Sequence, residues 1–316
     1  MIISASRRTD IPGFYSEWFM NRLKEGYVLT RNPMNHAQIS KIILSKELID
    51  CIVFWTKDPL KMMDKLTQLD KYGYPYYFQF TLTPYGKELE TNLRDKNEIL
   101  ETFIRLSNQI GSERVLWRYD PIILNHNITI DYHKQKFKQL CQTLSGYTKV
   151  CTISFVDEYT KLSNVLKSGK IRELTEAEMI QLAKFLSITG KQYGIEVRSC
   201  CEKLDFTAYG IKPASCIDKQ TIESITRSSL DVKTDINQRQ GCGCISSIDI
   251  GVYNTCNNGC IYCYANYSTS SVLNNIRNHN KESNILIGTV HSDEKVTTKQ
   301  VKSLKIEKYE QEELKW

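Results

Sequence analysis

The sequence predicts an α/β protein built on a full or partial parallel (β/α) barrel of the TIM type. Short β-branched or aromatic runs alternate with segments of helical periodicity from Ile2 to Arg198, the pattern of strands joined by helical crossovers. Charged residues gather where those runs end, as they do at the functional face of a parallel barrel. The 316 residues, 41% hydrophobic and 25% charged, suffice for one large soluble unit.

In chain order, the strand-like runs are Ile2 to Ala5, Cys51 to Trp55, Tyr76 to Leu82, Val115 to Tyr119, Val150 to Phe155 and Ile195 to Arg198. The segments between them read as helices. Phe14, Trp18 and Leu23 mark the first; Met62, Met63, Leu66 and Leu69 the second; Ile99, Phe103, Leu106 and Ile110 the third; Phe137, Leu140 and Leu144 the fourth. Glu176 to Tyr193 is bounded most clearly, because Thr175 and Glu178 form a T-x-x-E capping box and Gly194 supplies a stop. A further strand-like segment, Ser247 to Val252, brings the count to about seven βα units.

The strand ends nominate a site. Arg7, Arg8 and Asp10 follow the first strand; Thr56, Lys57 and Asp58 the second; Gln79, Thr81 and Thr83 lie in and after the third. The fourth ends in Arg118 and Asp120, the fifth near Ser154 and Asp157, the sixth at Arg198, Cys200 and Glu202. Loops are polar everywhere, so a single residue here says little. Repeated pairs of a cation with an acid are more informative. They satisfy one another in a partly buried mouth and offer charge to an anionic or zwitterionic ligand.

Cysteine spacing points to metal chemistry. Cys256, Cys260 and Cys263 form a C-x3-C-x2-C run just after Ser247 to Val252. Three thiolates can share one metal centre, whereas a cubane takes four, which leaves one iron open to a small molecule. Tyr262, between the last two cysteines, can lay its ring against that molecule. Zinc in a structural site wants four Cys or His ligands, and none follows Cys263 closely. A second set, Cys200, Cys216, Cys242 and Cys244, supplies four thiolates for a second Fe-S cluster without an open iron, or for structural zinc. Cys200 is preferred to Cys201 because it follows the sixth strand directly. Cys51, Cys141 and Cys151 lie in apolar patterns and read as core thiols.

An odd count of 11 cysteines and no secretory signal argue against a disulfide framework. No window holds the ~18 uninterrupted apolar residues of a membrane span. A reduced, cytoplasmic protein is expected. The net charge of +6 is mild, and the run Lys299, Lys302, Lys305 and Lys308 reads as a solvated face. It provides no continuous basic, aromatic-interleaved surface for nucleic acid.

The segments Ser-Ala-Ser-Arg-Arg-Thr-Asp-Ile-Pro, Val-Phe-Trp-Thr-Lys-Asp-Pro and Asp-Ile-Gly-Val-Tyr-Asn-Thr-Cys-Asn-Asn-Gly-Cys-Ile-Tyr-Cys-Tyr-Ala-Asn resemble the domain of unknown function 1848 family over nearly the whole chain. That family is described as carrying at its C-terminus a cysteine cluster similar to the one radical S-adenosylmethionine (SAM) enzymes carry near the N-terminus. The resemblance implies a [4Fe-4S] cluster at Cys256, Cys260 and Cys263, SAM on its open iron, and Tyr262 near the adenine. It also implies a radical-SAM-like barrel whose cluster-bearing strand and loop are permuted to the C-terminal end, beside Ile2 to Ala5. No Gly-Gly-Glu-like segment follows the next strand; Asp10 or Arg8 is the candidate replacement.

The expected function is reductive SAM cleavage by a radical SAM enzyme, fed by a reductant such as flavodoxin or ferredoxin. A small molecule or peptide is favoured over nucleic acid as substrate. Arg7, Arg8, Asp10, Lys57, Arg118 and Asp120 would line the mouth, Arg7 with the cofactor and the others as catalytic candidates. The alternatives are an Fe-S redox or sensor protein that leaves SAM intact, or a zinc-stabilised binding protein. Residues 1–199 would form the barrel units, 200–270 a cysteine-rich segment closing the barrel, and 271–316 an extension packed on it.

Overall fold

The computed structural model of the chain describes residues 1–156, 163–239 and 241–306; Asp157 and Lys308 lie outside them. The strands are β1 (Ile2–Ala5), β2 (Tyr27–Asn32), β3 (Asn35–Ile43), β4 (Cys51–Thr56), β5 (Tyr76–Thr81), β6 (Val115–Ile122), β7 (Val150–Phe155), β8 (Glu196–Ser199), β9 (Lys212–Pro213), β10 (Ile248–Asp249) and β11 (Val296–Thr298). An 8-stranded sheet runs in the order β10-β1-β4-β5-β6-β7-β8-β9. Every neighbouring pair in it is parallel. The protein is therefore α/β with a large parallel sheet, and successive βα units lie side by side. The strand before the cysteine triad pairs with the first strand, Ile3 opposite Ile248 and Ser4 opposite Asp249.

The central strands β1, β4, β5 and β7 are dense in apolar residues because both faces of the sheet are covered there. Alternate side chains go to two different cores. Ile3, Ala5, Ile52, Phe54, Phe78, Phe80, Trp117 and Ile153 pack with helix residues such as Trp18, Phe103 and Phe137. Ile2, Cys51, Val53, Tyr77 and Leu116 pack instead with Ala214, Cys216, Ile217, Ile222, Cys244 and Ile245. The cysteine-rich segment thus lies on the second face of the sheet. Cys51, Cys141 and Cys151 are fully buried among apolar side chains, as core thiols should be, and burial pushes Cys141 up to about 12.

The helices form where the apolar period requires. In Lys96–Ile110, capped by the Asp95 carboxylate on Asn97 N, the residues Ile99, Phe103, Leu106 and Ile110 face the core. Each such side chain contributes about 1.5–3 kcal/mol on burial. Glu176–Gln192 starts with the complete Thr175/Glu178 capping box, and Gly194 follows its end with φ 71°.

One segment departs from expectation. The stretch after the helix Ser16–Glu25 was read as part of a helical connection, but Tyr27 to Ile43 is the antiparallel β2–β3 hairpin. Asn32 and Asn35 turn the chain with side-chain bonds to Met34 N and Ala37 N, around a proline that has no N–H to offer. β11 joins β3 in parallel to complete a separate 3-stranded sheet. The C-terminal segment is also tied at Asp50, whose carboxylate accepts from Ser303 Oγ (2.6 Å), Leu304 N (2.8 Å) and the Met1 ammonium. Among the described residues, no helix is long and apolar enough to cross a membrane.

Candidate functional site

The C-terminal strand ends and both cysteine sets border one cavity of about 470 Å³. Its lining includes Arg7, Arg8, Asp10, Lys57, Arg118, Asp120, Ser154 and Tyr262, with Cys256, Cys260 and Cys263 and with Cys200, Cys201, Cys216, Cys242 and Cys244. Of the strand-end residues nominated from the sequence, Arg7, Arg8, Asp10, Thr56, Lys57, Thr81, Arg118, Asp120, Ser154 and Cys200 are thus brought together, whereas Asp58, Gln79, Thr83, Arg198 and Glu202 do not line the cavity. Arg198 is otherwise engaged, bonding to Glu196 at 2.7 Å, and Asp58 pairs with Arg94 at 2.6 Å.

The triad loop is set by the segment that precedes the helix at Lys96. Thr91 N and Asn92 N donate to Gly259 O (3.4 Å) and Asn258 O (3.1 Å), and Ile261 N donates to Leu89 O (3.0 Å). Gly259 has φ +69°, and a Cβ there would meet Asn92 Nδ2 at 3.1 Å, so glycine permits both the turn and the close approach. Ala265 N donates to Cys263 Sγ at 3.3 Å. Burial pushes Cys260 up to about 12 and Cys256 well above the usual thiol value.

Three sequence blocks meet around this loop. Asp249 accepts from Ser4 Oγ (2.7 Å), Ser6 Oγ (2.6 Å), Arg7 N (2.9 Å), Arg8 Nη2 (2.9 Å) and Gly251 N (2.9 Å). Burial opposes its ionisation most, but Arg8 and the two serine hydroxyls hold its carboxyl below the usual range. Gly251 lies so close to Ser6 Oγ that a Cβ would collide with it. Asp10 accepts from Gly13 N (2.9 Å), Lys57 N (2.9 Å) and Asn258 Nδ2 (3.0 Å). It therefore joins the first strand end, the second strand end and the triad loop. Burial raises the Asp10 pKa above the normal carboxyl value.

Lys57 and Tyr262 form a second knot. Lys57 Nζ donates to Glu90 Oε1 (2.7 Å) and Tyr262 Oη (3.1 Å), while the Tyr262 hydroxyl and Lys96 also donate to Glu90. Burial works against the charge on both partners, yet mutual attraction lifts Lys57 to about 12 and lowers Glu90 to about 2. The Tyr262 ring meets Tyr85 edge to face, with centroids 5.9 Å apart.

Around the second set, Arg118 Nε donates to Asp120 Oδ2 (3.0 Å) and its Nη1 to Cys216 Sγ (2.8 Å). Ser154 Oγ donates to Asp120. The Arg7 guanidinium lies over the Trp55 ring, 5.4 Å from its centroid. Cys242 is held down to about 6, first by a hydrogen bond from Cys244.

Glu90, Asp249, Asn258 and Trp55 belong to this site and were not nominated from the sequence. The signal for Asn258 was its place inside the C-x3-C run, and for Asp249 its place in the strand leading to it. Glu90 sits in the polar stretch Glu88 to Asn92, where nothing local marks it out.

Among the described residues, no three or more His, Cys, Asp or Glu side chains lie at the mutual spacing of ligands to a single ion. A cubane asks for something different, since each thiolate binds its own iron and the ligands need not converge on one point. Three thiols on one cavity wall, one already accepting an N–H bond, fit that donor set.

Fold and site together define an α/β protein with a parallel sheet and a thiol-lined cavity at its C-terminal strand ends. The family described as Domain of unknown function (DUF1848) matches residues 2–265, and the chain belongs to it. Comparison with curated proteins gives no match.

Proposed function

We propose that the protein is a radical SAM enzyme. The observation that carries the reading is the cysteine triad on the wall of a cavity bordered by six strand ends, with no neighbouring fourth thiol or imidazole in the triad loop. Cys256, Cys260 and Cys263 would hold a [4Fe-4S] cluster, and SAM would occupy the adjoining cavity. When bound, this pair supplies one-electron cleavage of the sulfonium to methionine and a 5′-deoxyadenosyl radical, using an electron from a flavodoxin- or ferredoxin-type donor.

The chain's own residues orient and enclose. Tyr262, its hydroxyl held by Glu90 and Lys57, would offer a fixed ring to the adenine. Asp10 and Asn258 hold the triad loop against the first two strand ends. Arg8 is committed to Asp249 and Arg118 to Asp120, whereas Arg7, which borders the cavity without an ion pair among the described residues, would meet a polar ligand. Phe155 and Val156 supply apolar wall that keeps water from it. A small molecule or peptide suits the cavity volume.

The sheet is read as a partial barrel with a permuted first unit. In a flat sheet β1 and β8 would lie about 24 Å apart, at ~4.8 Å per strand spacing. Ser6, after β1, and Cys200, after β8, instead border one cavity. In this reading residues 1–199 form barrel units, 200–270 fill and close them, and the described part of 271–316 packs outside, in the cytoplasm.

The test is anaerobic reconstitution, reduction with dithionite, and chromatography of a SAM incubation. 5′-Deoxyadenosine and methionine are expected, and Cys256→Ala should abolish both. A protein that carries iron and sulfide and cycles reversibly but leaves SAM unchanged would instead be a redox or sensor protein. A colourless protein holding only zinc would refute the cluster.

A further inference from the structure

Five thiols outside the triad, Cys200, Cys201, Cys216, Cys242 and Cys244, line the same cavity, and none is in a disulfide. Two of them, Cys216 and Cys244, have sulfurs that accept from N–H donors. Cys216 N and Ile217 N both donate to Cys244 Sγ, at 3.2 and 3.4 Å. Arg118, only 7% exposed, donates to Cys216 Sγ at 2.8 Å. Cys200 Sγ lies 3.4 Å from Cys216 Sγ.

Charge balance sharpens the point. Arg118 has Asp120 as its carboxylate partner. Arg7 forms no ion pair among the described residues, and its Nη2 is buried without a hydrogen-bond partner. A partly buried guanidinium with no ion pair draws on the negative charge around it, here the thiol set together with Asp249. Several thiolates packed this closely repel one another unless a cation lies among them, and a bound metal is what holds such ligands deprotonated.

We propose that Cys200, Cys216, Cys242 and Cys244 hold a second iron–sulfur cluster in the wall of the cavity, with Arg118 and Arg7 offsetting its charge. A structural zinc would be enclosed by its four ligands. Here backbone N–H groups and a guanidinium address the sulfurs, and the set opens onto a cavity, the features through which a protein tunes a cluster. The inference stands on residues distinct from the triad and does not depend on what the triad binds.

Iron and sulfide analysis with EPR on the anaerobically reconstituted full chain tests it. Wild type should carry about eight irons, and both the C256A/C260A/C263A and the C216A/C244A variants about four, by four irons per cubane. Reduced C256A/C260A/C263A should retain a cluster EPR signal, which keeps the test valid if C216A/C244A fails to fold. In the same background, Arg118→Gln should shift the reduction midpoint to a more negative potential. No iron in the triad variant, or one zinc per chain in place of four irons, overturns the proposal. Failure of the triad reading looks different, since the triad variant would then keep all the iron of wild type.

Discussion

Asp249→Asn probes the joint between the first strand and the strand that precedes the cysteine triad. Oδ1 accepts from Ser6 Oγ, Arg8 Nε and Nη2 and Gly251 N; Oδ2 accepts from Ser4 Oγ and Arg7 N. An asparagine must turn its NH2 toward one of these two groups. Either way at least one backbone N–H loses its acceptor, and Arg8 loses its counter-charge. Removing one member of a buried pair costs about 3–5 kcal/mol. Arg8 and Asp249 keep 15% and 20% side-chain exposure, which places the expected loss near the low end, about 3 kcal/mol. At about 2–4 °C per kcal/mol for a large domain, the melting temperature should fall by about 6 °C or more. Urea denaturation followed by circular dichroism, with iron content measured in parallel, gives both readouts. Iron at the triad should fall with stability because the same strand carries the loop. A loss of less than about 1 kcal/mol, typical of an exposed ion pair, would refute the view that Asp249 fixes this joint.

His133 should make stability fall in mild acid. Its Nε2 faces Ile123 O and its Nδ1 faces Tyr119 Oη, both at 2.8 Å, so the ring is neutral with the proton on Nε2. Burial lowers its pKa to about 4, against an unfolded value near 6.5. The unfolded chain therefore takes up the proton first as pH drops. Stability from this group is complete above about 6.5 and declines by up to about 3 kcal/mol on the way to pH 4. Denaturation curves of His133→Asn against wild type should lose that slope, and parallel curves would count against it. Glu90→Gln leaves Lys57 and Lys96 buried without their carboxylate, and about 3–5 kcal/mol of lost stability is expected in urea melts. Gly251→Ala forces a methyl against Ser6 and within 2.8 Å of Thr9 Oγ1, with an overpacking cost of about 1–3 kcal/mol that the smaller Ser6→Gly/G251A pair should relieve.

The parallel sheet was readable because its strands are dense in β-branched and aromatic residues. Ile2–Ala5 and Val150–Phe155 have the bounds their composition predicts. The β2–β3 hairpin was not readable. Its apolar residues alternate weakly, its tip is exposed, and β11, the strand that pairs with β3, lies more than two hundred residues along the chain. Glu90 was hidden for a related reason: its partners Lys57 and Tyr262 come from other parts of the chain, so no local spacing reports them. Asp10 was nominated as a chemical group, and the structure gives its carboxylate a different employment. Donors from Gly13, Lys57 and Asn258 occupy it, which makes it the joint of three loops.

The stretch from Cys200 to Ile245 has little periodicity in the sequence, and its contacts explain why. A helix or strand advertises itself when one face repeatedly meets a core. Beyond the two-residue edge strand β9, this stretch meets the sheet through scattered single residues, Ala214, Cys216, Ile217, Cys244 and Ile245, with only the short helix Lys219–Thr226 between them. Its order comes from anchors: Tyr77 Oη and Gln79 Nε2 both donate to Cys216 O at 2.8 Å, and Arg118 reaches Cys216 Sγ. Two adjacent strands, β5 and β6, thus hold one cysteine at both its backbone and its sulfur. A segment fixed this way depends on its neighbours rather than on its own propensity, so metal release from these thiols should loosen it while β4 to β7 persist. Hydrogen exchange on apo and reconstituted protein should localise the difference to 200–245, and uniform protection in both states would show that the strand anchors alone suffice.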